Sequence, residues 1–256
     1  MFISAIDKIP NPKKIVSLVP SQTELLSYFG LEKETIAITK FCVHPEEWFR
    51  TKARIGGPKT VDIEKIILLN PHLILCNKEE NVKEQVESLA EKFPVYMSDV
   101  NTYTQALQMI ADVGKLTDKT EKAKMLTNLI FAEFELLEYY AQKIRTAYFI
   151  WKDPYMTIGG DTFISDMMKK AGFENIYKDR TRYPEINITE LKNLRPEVIL
   201  LSSEPYPFKE KHIQELQTFL PGVQILLADG EMFSWYGSRM LHAPRYFKEL
   251  GKQIHT

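Results

Sequence analysis

The feature that most constrains this 256-residue chain is a segment that occurs twice. Asp62-Ile63-Glu64-Lys65-Ile66 runs through Asn70-Pro71-His72 into Leu73-Ile74-Leu75. Shifted by 125 positions, Asn187-Ile188-Thr189-Glu190-Leu191 runs through Arg195-Pro196-Glu197 into Val198-Ile199-Leu200. Each copy reads as an amphipathic helix that stops ahead of a proline, whose ring pushes the preceding residue out of helical geometry. A short aliphatic strand follows at once. Each strand then opens into a polar loop with glutamate, Asn77-Lys78-Glu79-Glu80-Asn81 in one copy and Ser202-Ser203-Glu204-Pro205 in the other. Helix–proline–strand joints occur in any α/β chain. With the elements around them, these two predict a pair of similar lobes.

The surrounding elements alternate. Strands are expected over 13–20, 36–39, 73–76, 95–98, 147–151, 198–202 and 223–228, and helices from Ser21 and over 61–69, 82–92, 103–116, 163–171, 212–219 and 246–254. Ser21 with Glu24 three places on fits a capping box. The longest periodic stretch, Lys119 to Lys143, keeps Leu126, Leu129, Ile130, Phe134, Leu137 and Tyr140–Ala141 at helical spacing without Pro or Gly,. About 25 residues at 1.5 Å each would span nearly 40 Å, more than one lobe needs. Alternation of this kind predicts parallel sheets covered by helices. The expected fold class is therefore α/β: two mostly parallel-sheet lobes joined by a single long backbone helix. The N-terminal lobe is placed at 1–116, the helix at 117–145 and the C-terminal lobe at 146–256.

Composition excludes several classes. A formal net charge of −1 argues against a nucleic-acid partner, which requires a clustered basic excess,. Asp7, Lys8, Pro10 and Pro12 interrupt any secretory apolar core at the N-terminus, and no stretch of about 20 apolar residues follows,. As written, the chain is expected to be soluble and not membrane-inserted, with no visible export address. Cys42 and Cys76 form no CxxC pair, so no zinc framework is suggested,. Cys76 reads as a buried thiol, and a Cys42–Cys76 disulfide is left open.

In open parallel sheets, ligands bind beyond the carboxyl ends of the strands. Two facing lobes would share a cleft lined by Pro20-Ser21, Phe41 to His44, Asn77 to Asn81, Trp151 to Tyr155, Ser203 to Phe208 and Asp229 to Arg239. These loops are rich in rings: Phe41, Trp151, Tyr155, Tyr206, Phe208, Phe233, Trp235 and Tyr236. Rings beside Asn77, Glu79, Glu80, Glu204 and Arg239 suit a large ligand that is part apolar and part polar. Some of the rings would serve only to plug lobe edges. Pro20-Ser21 and Gly159-Gly160-Asp161 each precede a helix and could aim free N–H groups at an anion. Of the histidines only His44 is placed as a ligand contact, with His72 read as surface and His212 placed on a polar helix. There is no HExxH, no Walker motif and no GxSxG, so neither a metal centre nor a catalytic residue is assigned. A set of His44, Glu79 or Glu80, Glu204 and Asp229 could ligate a bare ion, although no spacing requires it.

Ile15-Val16-Ser17-Leu18-Val19-Pro20-Ser21-Gln22-Thr23-Glu24-Leu25, Asp62–Leu75, Trp151–Asp161 and Gly172-Phe173-Glu174-Asn175-Ile176 resemble the cobalamin, haem and siderophore binding proteins of ABC importers. The resemblance runs from Lys14 to Leu250. It is closest to the helical backbone metal receptors, through Asn77–Asn81, Ser203–Phe208 and Ser234–Arg239. It implies two α/β lobes and one long helix, a metal chelate such as cobalamin or an iron chelate as ligand, no intrinsic cofactor, no enzymatic activity and an ABC permease as partner. An intracellular corrinoid- or metal-handling protein or enzyme on the same scaffold is the alternative. The family is exported, so the resemblance implies a periplasmic or extracytoplasmic site if a signal was removed, and a cytoplasmic one if the chain is native as written. Relatives that deliver cobalamin present one acidic residue per lobe to the permease. Glu64 matches the first position, while Thr189 stands at the second with Glu190 one place on.

Overall fold

The computed structural model describes residues 1–4, 11–137 and 143–254. The chain divides into two compact units. Unit 1 comprises Met1–Val100, Thr104–Ile130 and Trp235–Arg239, and unit 2 comprises Asn101–Tyr103, Phe131–Ser234 and Met240–Thr256.

Unit 1 is built on strands β1 (Phe2–Ile3), β2 (Ile15–Ser17), β3 (Thr35–Ile38), β4 (Ala53–Arg54), β7 (Leu73–Asn77) and β8 (Val95–Ser98), with a small antiparallel pair β5 (Gly56–Gly57) and β6 (Thr60–Val61). The main sheet has the order β1-β8-β7-β2-β3-β4, and every pairing in it is parallel. Helices α1 (Pro20–Tyr28), α2 (Glu46–Thr51), α3 (Ile63–Leu69), α4 (Lys83–Ala90) and α5 (Tyr103–Leu116) alternate with the strands. Because the sheet is covered by helices, its central strands are mostly apolar rather than alternating, and β7 is buried at all five positions,. Val16, Leu18, Ile74, Cys76 and Val95 meet Val86 and Leu89 in one core.

Helix α6 (Thr120–Glu135) is the longest, and the chain passes from unit 1 to unit 2 within it. It is shorter than the Lys119–Lys143 helix expected from periodicity. The Leu137 N–H bonds to Phe134 O, a one-turn closure rather than a helical step, and Tyr140–Ala141 lie outside the described residues.

Unit 2 holds a parallel sheet of order β10-β9-β11-β12, from β9 (Ile144–Phe149), β10 (Phe173–Asn175), β11 (Val198–Ser202) and β12 (Gln224–Ala228). Helices α7 (Phe163–Lys170), α8 (Ile188–Leu194), α9 (Glu210–Phe219), α10 (Gly230–Ser234) and α11 (Ala243–Ile254) accompany it. Ala147, Phe149, Leu191, Ile199, Leu201 and Leu216 share its core. Helix α10 and the 3₁₀ turn Ser238–Leu241 occupy what was read as a loop.

The repeat is present in the structure. Helices α3 and α8 are seven residues each, with Asp62 and Asn187 as N-caps whose side chains accept from the third helical N–H,. Both end on a left-handed residue ahead of the proline, Asn70 at φ 49° and Arg195 at φ 49°. The strands that follow, β7 and β11, are five residues each.

Candidate functional site

In unit 1 the parallel sheet gathers the loops after β2, β3, β7 and β8 at one edge. Asn77 closes β7 and organises this edge rather than meeting solvent, being only 2% exposed. Its amide donates to Ser98 O and Ser98 Oγ, while its Oδ1 accepts from the N–H groups of Glu79 and Glu80. That Asx turn folds the Glu79-Glu80 loop back over the strand end. Gln22 Nε2 donates to the same Ser98 hydroxyl at 2.7 Å. Asn77 is thus part of the scaffold, not a contact residue.

The capping box expected at Ser21 and Glu24 is absent. Val19 is the N-cap, its apolar side chain making no cap hydrogen bond, Pro20 occupies the first turn, and Ser21 is buried. Glu24 instead accepts two hydrogen bonds from Arg239, at 3.0 and 2.5 Å. The segment Trp235–Arg239 makes two further contacts with the rest of unit 1 and one within itself. Tyr236 donates its hydroxyl to Glu80 at 2.9 Å. Trp235 meets His44 edge-on at 5.5 Å, and the Arg239 guanidinium lies 4.9 Å from the Trp235 ring centre. Burial, with the Glu80 carboxylate nearby, holds the Tyr236 phenol well above its ordinary range, so it stays a donor,. Trp235 and Tyr236 are buried, unlike the open loop rings expected from sequence, because partners far away in the chain cover them. Phe41, in contrast, is 54% exposed with Lys40 Nζ over its ring, and His44, Glu79 and Glu80 are half-buried.

In unit 2 the strand-end edge carries two clusters. The first is aromatic. Trp151, 41% exposed, meets Tyr206 at 5.6 Å, and Tyr206 meets Phe208 and His212. His212, on the polar helix α9, is buried. Its Nδ1 accepts from Lys209 N, its Nε2 faces the Tyr206 hydroxyl, and burial followed by the Lys152 charge lowers its pKa. Phe208 is buried too. Tyr155 packs on Phe149 and donates to Glu215, which also pairs with Lys152.

The second cluster is a cavity of about 630 Å³ lined by Ser203, Glu204, Asp229, Glu231 and Tyr246 among others. Glu204 accepts from Ser234 Oγ at 2.5 Å, and Tyr246 accepts from Asp229 N at 2.7 Å. Gly230 permits this approach, since a Cβ there would stand 2.4 Å from Ser202 Oγ and 2.6 Å from Glu204 Cγ. Phe233 takes no part in the edge. It is wholly buried against Tyr148, Tyr246 and Phe247, so it belongs to the core.

Two further expectations are corrected. The Gly159 and Gly160 N–H groups already donate to Arg182 O and Arg180 O, so they are not aimed at an anion. Glu190 accepts from Arg180 at 2.6 Å, whereas Glu64 stands exposed in the first turn of α3. Cys42 and Cys76 are free and buried, with Cys42 held by Thr23 and Thr39 and the Cys76 thiol pushed up to about 12 by burial. His255 lies outside the described residues. Among the described residues, no three His, Cys, Asp or Glu come together to hold a metal ion, and no helix is long and apolar enough to cross a membrane. Glu24, Tyr246, Ser234 and the Lys152–Glu215 pair escaped the sequence reading, because each joins its edge through partners remote in the chain.

Two α/β units with parallel sheets and polar, ring-bearing strand ends define a small-molecule binding protein. The chain belongs to the periplasmic binding protein family, whose sequence model matches residues 15–224. The vitamin B12-binding protein of Vibrio campbellii is 27% identical over 196 residues, covering 74% of this chain and 70% of that protein. An uncharacterised ABC transporter substrate-binding lipoprotein of Bacillus subtilis is 25% identical over 202 residues, covering 74% of this chain and 63% of that one. The periplasmic haem-binding protein of Vibrio cholerae shares the fold, with a TM-score of 0.79 at 17% identity, covering 93% of this chain and 98% of that one. Members of this family are transport components, so the chain is a binding protein and not an enzyme.

Proposed function

We propose that this chain is the substrate-binding component of an ABC-type importer and that its ligand is a metal chelate, a corrinoid such as cobalamin ahead of haem or a ferric siderophore. The observation that carries the reading is the unit 2 edge. There an exposed Trp151 ring, backed by Tyr206, adjoins strand-end loops that also carry Glu204, Asp229 and Glu231. Rings cover the apolar surface of a macrocycle, and carboxylates accept from peripheral amides. On the unit 1 edge, Phe41 supplies exposed ring surface, with His44, Glu79 and Glu80 beside it. The names of the relatives above support the same ligand class. Calorimetry with cyanocobalamin, haemin and ferric siderophores tests it. Binding tighter than about 100 μM, roughly −5.5 kcal/mol, is expected for at least one. Weaker binding to all of them overturns the reading.

Delivery to a permease is part of the proposal. Exposed Glu64 is free in position to serve as one anchor, and Glu190 serves only after leaving Arg180. The place of work proposed is outside the cytoplasmic membrane, where an importer's receptor meets its cargo.

A further inference from the structure

Glu24 and Arg239 stand 215 positions apart, yet they form a two-point pair whose side chains are 22% and 13% exposed. A fork of two parallel hydrogen bonds fixes the plane of a guanidinium, which a single contact would leave free to rotate. That plane lies over the Trp235 ring, 4.9 Å from its centre, and Trp235 is only 7% exposed. The indole in turn meets the His44 imidazole at 5.5 Å with 69° between the planes. Four side chains therefore form one contiguous row. Three are nearly enclosed, and the fourth, His44, is half-buried beside Phe41 and Val43, which are 54% and 38% exposed.

We propose that Glu24 and Arg239 are positioning residues for His44: the ion pair sets the guanidinium, the guanidinium sets the indole, and the indole sets the imidazole that meets the ligand. The proposal rests on reading the strand-end edge of unit 1 as ligand-facing. A ring already held in its bound orientation loses no rotational freedom when the ligand arrives, which raises affinity without any added contact. Arg239 thus acts through Trp235 and His44 rather than by touching the ligand.

Two measurements separate this from a purely structural role. In the ligand-free protein, NMR contacts between the His44 ring protons and the Trp235 indole are expected in the wild type and lost in Glu24→Gln and in Arg239→Lys. The lysine keeps the charge but not the fork. By calorimetry, Glu24→Gln should bind cyanocobalamin or haemin, whichever the wild type binds, about tenfold more weakly, roughly 1.4 kcal/mol. The same substitution made on a His44→Ala background should cost nothing further. Persistence of the ring contacts in both variants, or an equal loss of affinity with and without His44, overturns the proposal. If the wild type binds no chelate, the functional reading fails, and the ring contacts still decide whether the pair orients His44.

Discussion

Replacing Phe233 by alanine separates the two places where a strand-end ring can end up. The side chain is 0% exposed, and its ring lies 4.7 Å from Phe247, 5.1 Å from Tyr148 and 6.2 Å from Tyr246. Truncating a buried phenylalanine costs about 3–5 kcal/mol, from lost transfer energy plus the cavity left behind. Three ring–ring contacts, each worth about 0.5–1.5 kcal/mol, place Phe233→Ala in the upper half, near 4 kcal/mol. With an m-value of about 2 kcal/mol/M, the urea midpoint of unit 2 should fall by about 2 M. Trp151→Ala is the matched control, because that ring is 41% exposed. It should change stability by less than about 1 kcal/mol and weaken chelate binding by about 1–3 kcal/mol. Urea unfolding followed by circular dichroism, with calorimetry on the same samples, reads both. A Phe233→Ala protein of near wild-type midpoint and reduced affinity would refute the assignment of this ring to the core.

Asn77→Ala removes one donor to Ser98 and the side-chain oxygen that accepts from the N–H groups of Glu79 and Glu80, and should lower stability by about 2–3 kcal/mol in equilibrium urea unfolding,. Gly230→Ala places a methyl against Ser202 and Glu204 and should destabilise unit 2, lowering the melting temperature by several degrees in calorimetric scans, about 2–4 °C per kcal/mol,. The hydrogen bond from Lys152 holds the Glu215 carboxyl below its ordinary range. A group whose folded pKa is depressed contributes stability above its unfolded value of about 4.3 and loses it as pH falls further. Glu215→Gln should therefore flatten the loss of stability below that pH, as read by acid titration of ellipticity.

The duplicated segment was legible to within a residue or two, the helix expected over 61–69 running from Ile63 to Leu69 and the strand expected over 73–76 running to Asn77. The 125-position shift carries Ile63–Leu69 onto Ile188–Leu194 and Leu73–Asn77 onto Val198–Ser202, since caps, prolines and aliphatic runs are local signals. The end of α6 was not, because Leu136 and Leu137 continue the helical period and no Gly or Pro marks the stop at Glu135. Sorting the strand-end rings was beyond the sequence as well. Phe233 and Trp151 both fall at the ends of predicted strands, and only their contacts, Phe247 and Tyr148 for the first, decide that it is enclosed. Likewise Glu24 looked like a capping residue, since the proper local spacing was there, and nothing nearby pointed to Arg239.

The membership of Trp235–Arg239 in unit 1 sets an order of events during synthesis. The rest of that unit is complete once Ile130 has left the ribosome, yet the partners of Glu24 and Glu80 are made roughly a hundred residues later. At about 5–20 residues per second, the nascent unit spends on the order of 5–20 s with both carboxylates and the seat of Trp235 open to water. A chain released between Ile130 and Trp235 keeps the sheet and helices of unit 1 but lacks the piece that closes its strand-end edge. Quality control that samples exposed apolar surface thus has a window in which to distinguish truncated chains from full-length ones.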